Sequence, residues 1–169
     1  MIIKPKKSLG QNFLIDNKVL EKITNLVNIE NQTVFEVGPG TGNLTEFILK
    51  QNPKKVIVIE KDVNLAENLK KKFEEKVIVI NDDVLKINEC SFFNEKVIVY
   101  GNLPYNISTE ILTKWIINLG SKIWFEKLVL MFQKEVADRI ISNHNSSSYG
   151  RLSIISNWRL SVKKIIDIK

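Results

Sequence analysis

Two short segments of this 169-residue chain carry residues whose types and spacing could do chemistry: Glu36–Gly42 and Asn102–Tyr105. In the first, glycine stands at positions 38, 40 and 42, so the backbone can turn tightly and approach a ligand with no side chain between. Such turns are typical of nucleotide sites, although many α/β proteins have one without binding a nucleotide. The turn therefore needs support from residues elsewhere in the chain.

Two acids supply that support. Glu60 ends an apolar run 22 residues after Gly38, where a carboxylate can accept hydrogen bonds from both hydroxyls of a ribose. Asp83 follows the next apolar run, and an acid there can accept a hydrogen bond from the amino group of adenine. Together the turn and the two acids predict an adenosine cleft. A dinucleotide site is disfavoured because the further glycine that a pyrophosphate favours is missing, and no P-loop pattern is present.

The second segment, Asn102–Tyr105, follows another apolar run, so we expect it at the same edge of the sheet as Gly38. Its plain interpretation is a strand-to-helix turn in which Pro104 restricts the backbone and residue 108 or 109 caps the next helix.

A chemical interpretation of this segment is more specific. Methylating an exocyclic amine is difficult because the lone pair of the nitrogen is delocalised into the ring. The side-chain oxygen of Asn102 and the carbonyl of Leu103 could hold the two N–H bonds and favour a pyramidal, nucleophilic nitrogen. Pro104 would stiffen the segment, and Tyr105 would stack on the extruded base. This chemistry requires no metal ion.

The remaining pattern predicts the elements that must position these residues. Five short apolar runs, rich in β-branched residues, are typical of strands buried on both faces: 34–37, 56–59, 77–80, 97–100 and 128–131. Segments with helical spacing lie between them, such as Leu65, Leu69 and Phe73 behind a capping Asp62. The order predicts a doubly wound, mostly parallel α/β sheet, and we expect the three tryptophans in its core.

With these motifs the chain resembles the ribosomal RNA adenine N6-dimethyltransferases of the KsgA type. Six ordered motifs carry the resemblance: Ser8–Leu14, Glu36–Gly42, the pair Glu60 and Asp83, Asn102–Thr109, Gln133–Arg139 and Tyr149–Ser153. The resemblance implies the Rossmann-like fold of class I S-adenosylmethionine-dependent methyltransferases. It further implies S-adenosylmethionine as the methyl donor.

The resemblance also implies a target: two adjacent adenosines near the 3′ end of small-subunit (16S) ribosomal RNA, each methylated twice on N6 during subunit maturation. Carried onto the matching positions, the donor site comprises Asn12, Leu14, Gly38, Glu60, Asp83 and Asn102. The target amine is assigned to Asn102, Leu103, Pro104 and Tyr105. The expected mechanism is direct transfer from the sulfonium to N6, with positioning providing most of the catalysis.

By the same resemblance, residues 1–169 form one S-adenosylmethionine-binding methyltransferase domain with an N-terminal flap, residues 1–16. We expect the last strand of the sheet and the small helical C-terminal domain of the family to be absent, because the chain stops at 162–169, an apolar run that itself resembles a strand. We therefore expect this chain to bind the donor but to methylate poorly.

Composition limits the partners. The net charge is +6, with +3 in residues 1–10 and +5 in residues 139–169, a distribution that favours a polyanion such as RNA. One Cys and one His disfavour disulfides and clustered metal ligands, and neither a membrane span nor a secretory signal is found. We expect a cytoplasmic monomer that binds small-subunit RNA or the immature small ribosomal subunit, without a metal ion and without a membrane.

Two alternatives remain. An Erm-type dimethyltransferase acting on large-subunit RNA would share the chemistry, although Gly10 before Gln11 and the segment Tyr149–Ser153 favour the KsgA type. A non-catalytic RNA-binding assembly factor on the same fold belongs to a different class. The intact segment Asn102–Tyr105 argues against it, and binding of S-adenosylmethionine would distinguish the two.

Overall fold

A computed structural model describes residues 12–120 and 123–168 of the chain. The described strands are β1 (Thr33–Val37), β2 (Lys55–Glu60), β3 (Ile78–Asn81), β4 (Val97–Asn102) and β5 (Phe125–Met131). The described helices are α1 (Asn17–Thr24), α2 (Asn43–Leu49), α3 (Val63–Phe73), α4 (Glu89–Phe92), α5 (Ser108–Ile117), α6 (Lys134–Ile141) and α7 (Arg151–Arg159). Most of the predicted flap 1–16, including residues 8–11 of the first motif and the three N-terminal lysines, lies outside the described residues.

The five strands form one parallel sheet in the order β3-β2-β1-β4-β5. At the centre, Val37 of β1 lies beside Ile59 of β2 on one side and Gly101 of β4 on the other. The winding of the chain reverses between β1 and β4, which is the switch point where open α/β sheets bind ligands. The predicted doubly wound parallel fold is confirmed, as is each of the five predicted strands.

The central strands are buried on both faces because helices cover both sides of the sheet. Phe35 of β1 packs in one apolar cluster with Trp115, whereas its neighbour Val34 packs in a second cluster with Leu20. Successive side chains of a strand point to opposite faces, so Glu36 shares the face of Val34. A carboxyl group is thereby buried next to the predicted ligand turn.

The start of α3 is as predicted, but that of α5 is not. The carboxylate of Asp62 accepts hydrogen bonds from the backbone N–H groups of Asn64 and Leu65 and so begins α3. Ser108 is already the first residue of α5, and its hydroxyl turns back to the carbonyl of Tyr105 at 3.3 Å. Capping of α5 by residue 108 or 109 is therefore wrong, because this hydroxyl instead stabilises the turn that precedes the helix.

Two expectations about the C-terminal part are also wrong. Trp158 is 63% exposed, because α7 buries Ser153 and Ser156 and leaves the tryptophan on its outer side. Residues 160–168 form no strand. Instead, Val162 packs against side chains of α5 and α6, and Ile166 packs against the cluster that contains Val34. An apolar run becomes a strand only where a neighbouring strand offers backbone partners, and these residues are held by side-chain burial.

The surroundings of Gly42 show how tightly the glycine turn is packed. It precedes α2 with a left-handed φ of 81°, and a Cβ there would lie 2.6 Å from the ring of Phe73 and 2.9 Å from Leu69. We expect Gly42→Ala to lower the free energy of unfolding by roughly 2 kcal/mol or more, because backbone strain and overpacking add. Denaturant unfolding followed by circular dichroism measures this loss.

The control for this variant is Gly120→Ala, because a Cβ at Gly120 meets nothing within 4 Å. Its effect should stay within about 0.5 kcal/mol. Equal stability of the two variants would show that the turn is not constrained as described.

Candidate active site

The carboxyl ends of the neighbouring strands β1 to β4 open into one cleft. All six residues predicted to bind the donor line it: Asn12, Leu14, Gly38, Glu60, Asp83 and Asn102. The lining also contains Phe13, for which the sequence left open packing in the core or covering the cofactor, and side chains to which the sequence assigned no role, among them Glu36, Lys61, Val84 and Ile107. The convergence follows from the topology, since parallel strands deliver their carboxyl ends to the same edge of the sheet.

The glycine turn is held against β2 by Glu60, which is 6% exposed. One carboxylate oxygen accepts a hydrogen bond from the backbone N–H of Gly40 at 3.2 Å, and the other accepts one from Asp62 at 2.9 Å. Burial raises the pKa of Glu60, whereas these two hydrogen bonds lower it. Each oxygen has a further lone pair, so Glu60 keeps the capacity to accept from ribose hydroxyls.

The ring of Phe13, from the segment that precedes α1, packs against this turn. A Cβ on Gly40 would lie 2.9 Å from the ring of Phe13, and the φ of Gly40 is 58°. Glycine is therefore required both by the backbone conformation and by the close approach of the ring. Leu14 is tied to the same region, because its carbonyl accepts a hydrogen bond from the side chain of Asn43 at 2.9 Å.

Glu36 is the most deeply buried carboxyl group of the cleft, at 1% exposed. The hydroxyl of Thr45 donates a hydrogen bond to it at 2.7 Å. Burial raises its pKa to about 8, with a smaller contribution from the charge of Glu60, and the hydrogen bond from Thr45 opposes the rise. Glu36 is thus mostly protonated at neutral pH, and a cation bound beside it would favour the carboxylate.

Asp83 is an ionised hydrogen-bond acceptor just after the end of β3, and its side chain is 13% exposed. One oxygen accepts a hydrogen bond from the backbone N–H of Leu85 at 3.0 Å, and the other lies 2.8 Å from the ammonium of Lys61. The contact with Lys61 lowers the pKa of Asp83 and outweighs the effect of burial. Any ligand amine that approaches Asp83 shares this carboxylate with Lys61.

The predicted catalytic segment is joined to the N-terminal segment by Asn12. The backbone carbonyl of Asn12 lies 2.6 Å from the side-chain nitrogen of Asn102, and the side chain of Asn12 donates to the hydroxyl of Tyr105 at 3.3 Å. A carbonyl oxygen can only accept, so the amide NH₂ of Asn102 must face Asn12. The amide oxygen of Asn102 is therefore turned away from Asn12, available to an incoming donor group.

The other three residues of this segment differ in position. Leu103 buries its side chain in the core at 1% exposed, so only its backbone is left for a ligand. Pro104 lines the cleft together with Asn106 and Ile107, whereas Tyr105 lies beside Asn12 and does not line it. A Cβ at Gly38 would be 3.5 Å from the carbonyl of Asn102, which shows how closely the two motifs approach.

Comparison with known proteins identifies the family to which this arrangement belongs. The family model for ribosomal RNA adenine dimethylases matches residues 2–169. The chain belongs to the ribosomal RNA adenine dimethylase family. It is 63% identical over 169 residues to ribosomal RNA small subunit methyltransferase A of Pelagibacter ubique, strain HTCC1062, and 44% identical over 172 aligned residues to the protein of that name from a Wolbachia of Drosophila simulans, strain wRi.

These matches cover essentially the whole chain, 100% and 99% of it, but only 64% and 62% of the relatives' own lengths. Among solved structures, a dimethyladenosine transferase from Plasmodium falciparum aligns with 34% identity and a TM-score of 0.73, over 85% of this chain and 51% of that one. The 23S rRNA methyltransferase ErmE aligns with 27% identity and a TM-score of 0.68, over 86% and 55%. The predicted class I methyltransferase fold is thereby confirmed.

Two residues that line the cleft, Glu36 and Lys61, were given no role from the sequence. Glu36 carried a signal, since an acid interrupts an otherwise apolar strand. Lys61 carried none, because its partner Asp83 lies 22 positions away in sequence. Within residues 12–120 and 123–168, no three His, Cys, Asp or Glu side chains are grouped as metal ligands. In the same residues no helix is long and apolar enough to cross a membrane.

Glu36 generates a pH-dependent prediction. Its pKa is raised on folding from 4.5 to about 8, so across this window the folded protein keeps a proton that the unfolded chain has lost. The stability associated with Glu36 is therefore complete below pH 4.5 and falls as the pH rises to about 8. Glu36→Gln removes this titration and keeps an acceptor for Thr45.

We expect the free energy of unfolding of the wild type to fall relative to Glu36→Gln by up to about 1.4 kcal/mol per pH unit. Urea unfolding at pH 5, 6, 7 and 8 measures the difference. Glu126→Gln, which changes an exposed carboxyl on β5, is the matched control. Its free energy of unfolding should vary with pH as that of the wild type does. A difference between wild type and Glu36→Gln that does not vary with pH would refute the assignment.

Proposed function

We propose that this protein transfers methyl groups from S-adenosylmethionine to N6 of two adjacent adenosines near the 3′ end of small-subunit ribosomal RNA. The observation that carries the proposal is the arrangement of Asn102. Its amide is held by Asn12 at the edge of the cleft, so that its oxygen is available as a hydrogen-bond acceptor. Family membership and the small-subunit methyltransferases that match the whole chain support the target.

The chemistry of the cleft fits the donor. Glu60 would accept from the ribose hydroxyls and Asp83 from the adenine amine, with Val84 and Ile107 as apolar neighbours of the base. The donor carries a sulfonium and an ammonium, and the acidic lining suits a cation. Gly38, Asn12 and Leu14 complete the proposed donor site.

Bound S-adenosylmethionine supplies an electrophilic methyl group on its sulfonium. In the proposed reaction, the side-chain oxygen of Asn102 and the backbone carbonyl of Leu103 accept hydrogen bonds from the two N–H groups of the adenine amine. Pro104 keeps this pair of acceptors rigid, and Tyr105 stacks on the base. Each transfer would release one N–H proton of the amine to solvent. One N–H remains after the first transfer and can be held by one of the two acceptors during the second, so catalysis consists mainly of positioning and preorganised acceptors.

The small subunit is favoured over the alternatives by identity. The small-subunit relative from Pelagibacter ubique is 63% identical, whereas the structure of the 23S enzyme ErmE is 27% identical. A non-catalytic assembly factor would not need the Asn12–Asn102 contact at the cleft. Exposed Arg139, Arg151 and Lys163 are candidates for phosphate contacts, whereas Lys164 is paired with Asp138 and Asp167. A monomer in the cytoplasm stays a prediction.

The decisive experiment is transfer of labelled methyl groups to small ribosomal subunits that lack the modification, under single-turnover conditions. We expect slow transfer to N6 of adenosine by the wild type. Asn102→Ala should reduce the rate at least about 100-fold, because one preorganised acceptor is lost. Asn145→Ala, an exposed residue of the 143–149 loop, is the matched control and should keep the wild-type rate.

Donor binding is titrated in parallel by calorimetry. Folded protein that binds the donor and never labels small subunits would contradict the proposed target, as would label that appears on large subunits. Folded protein that binds no donor would favour the assembly factor.

A further inference from the structure

One lysine outside the cleft connects the two walls of the proposed donor site. Lys114 lies on α5, the helix that begins directly after the Asn102–Ile107 segment. Its ammonium donates to the backbone carbonyls of Val84 at 2.6 Å and Ile87 at 2.7 Å. Both carbonyls belong to the loop between β3 and α4, residues 82–88, here called the adenine loop.

The third partner of Lys114 anchors this contact in the core. Glu89, at the start of α4, lies 2.8 Å from the ammonium, and the same carboxylate oxygen accepts from the indole N–H of Trp115 at 2.7 Å. The side chains of Lys114 and Glu89 are 16% and 5% exposed, and Trp115 is fully buried. A lysine ammonium has three N–H bonds, so all three are used by these oxygens.

The adenine loop is held by the burial of Val84 and Ile87 in the apolar core and by the ion pair of Asp83 with Lys61, but few hydrogen bonds fix its backbone. Within it, the backbone N–H of Leu85 donates to the side chain of Asp83, and that of Lys86 donates to the carbonyl of Asp83 at 2.8 Å. Both bonds are local, so neither of them fixes the backbone of the loop relative to α5. Lys114 supplies long-range hydrogen bonds to this backbone, and one of the two carbonyls that it binds belongs to Val84, the residue next to Asp83.

We propose that Lys114 is a positioning residue that holds Asp83 and Val84 at the adenine of the bound donor. The inference rests on the proposed donor site and adds to it a residue that touches neither donor nor target. Through α5, Lys114 also keeps the adenine loop at a set distance from the catalytic segment. A residue that holds the direct contacts of a site in place determines how precisely those contacts are positioned.

The test compares two ligands that differ only at the base: S-adenosylhomocysteine and S-inosylhomocysteine. The inosine compound has an oxygen in place of the amino group, so its position 6 presents an acceptor to Asp83 instead of a donor, and it should bind the wild type at least tenfold more weakly. We expect Lys114→Met to weaken the adenosine compound tenfold or more and the inosine compound much less. The preference for adenine should therefore fall, as calorimetry measures.

The matched control is Lys54→Met, which removes another Lys–Glu pair. Lys54 lies 3.0 Å from Glu95 at the opposite end of the sheet, and the two side chains are 59% and 55% exposed. Both affinities should stay at the wild-type value in this variant. Should Lys114→Met fail to fold, Lys114→Gln replaces it, because its shorter neutral side chain also cannot hold both carbonyls.

Amide hydrogen exchange of the ligand-free protein gives a second readout. In the Lys114 variant, exchange at Leu85 and Lys86 should accelerate at least tenfold, whereas exchange in β1 and β4 should not. An unchanged adenine preference, an equal loss for both ligands, or unchanged exchange at Leu85 and Lys86 would each overturn the inference. Folded wild type that binds neither ligand would instead overturn the donor site itself, and the inference with it.

Discussion

The burial of β1 between two parallel neighbours is the constraint on which the rest of this structure depends. Parallel strands cannot be joined by hairpins, so each connection leaves the carboxyl end of one strand, crosses a face of the sheet and enters the next strand at its amino end. The carboxyl ends of β1 to β4 therefore meet at one side, and the order β3-β2-β1-β4-β5 opens a crevice between β1 and β4. The glycine turn and the Asn102 segment lie next to each other because β1 and β4, the strands that they follow or end, are adjacent in the sheet.

This edge concentrates acids in a partly dry environment. Glu36 and Glu60 are each less than 7% exposed, and burial raises the pKa of both. The fold tolerates them by different means. Glu60 accepts two backbone N–H bonds, whereas Glu36 has one hydroxyl partner and stays largely protonated. A crevice that holds a protonated carboxyl group is well suited to a cationic ligand, because the bound cation can favour ionisation of Glu36.

Side chains from distant parts of the chain then tie the walls of the crevice together. Asn12 orients the amide of Asn102 and contacts Tyr105, while Lys114 holds the loop that carries Asp83. The links to Asn102 and to the loop are hydrogen bonds to backbone carbonyls, which specify direction as well as distance. The site is therefore arranged by a few polar contacts on a scaffold that apolar packing holds rigid.

Local patterns were enough to predict the class of fold, the five strands and the family, because continuous β-branched runs, glycine turns and the Asn102–Tyr105 motif can each be read from neighbouring residues. The family resemblance named six residues for the proposed donor site, and all six line one cleft. Four of them, Gly38, Glu60, Asp83 and Asn102, lie at or just after the carboxyl ends of strands, which a parallel sheet brings together. Prediction from the sequence failed where the outcome depends on distant neighbours. Trp158 is exposed because α7 turns another face inward, and 160–168 is not a strand because no strand of the described residues pairs with it. The orientation of Asn102, the raised pKa of Glu36 and the reach of Lys114 were decided by the tertiary structure alone, because each depends on groups brought within hydrogen-bond distance or buried only when the chain folds.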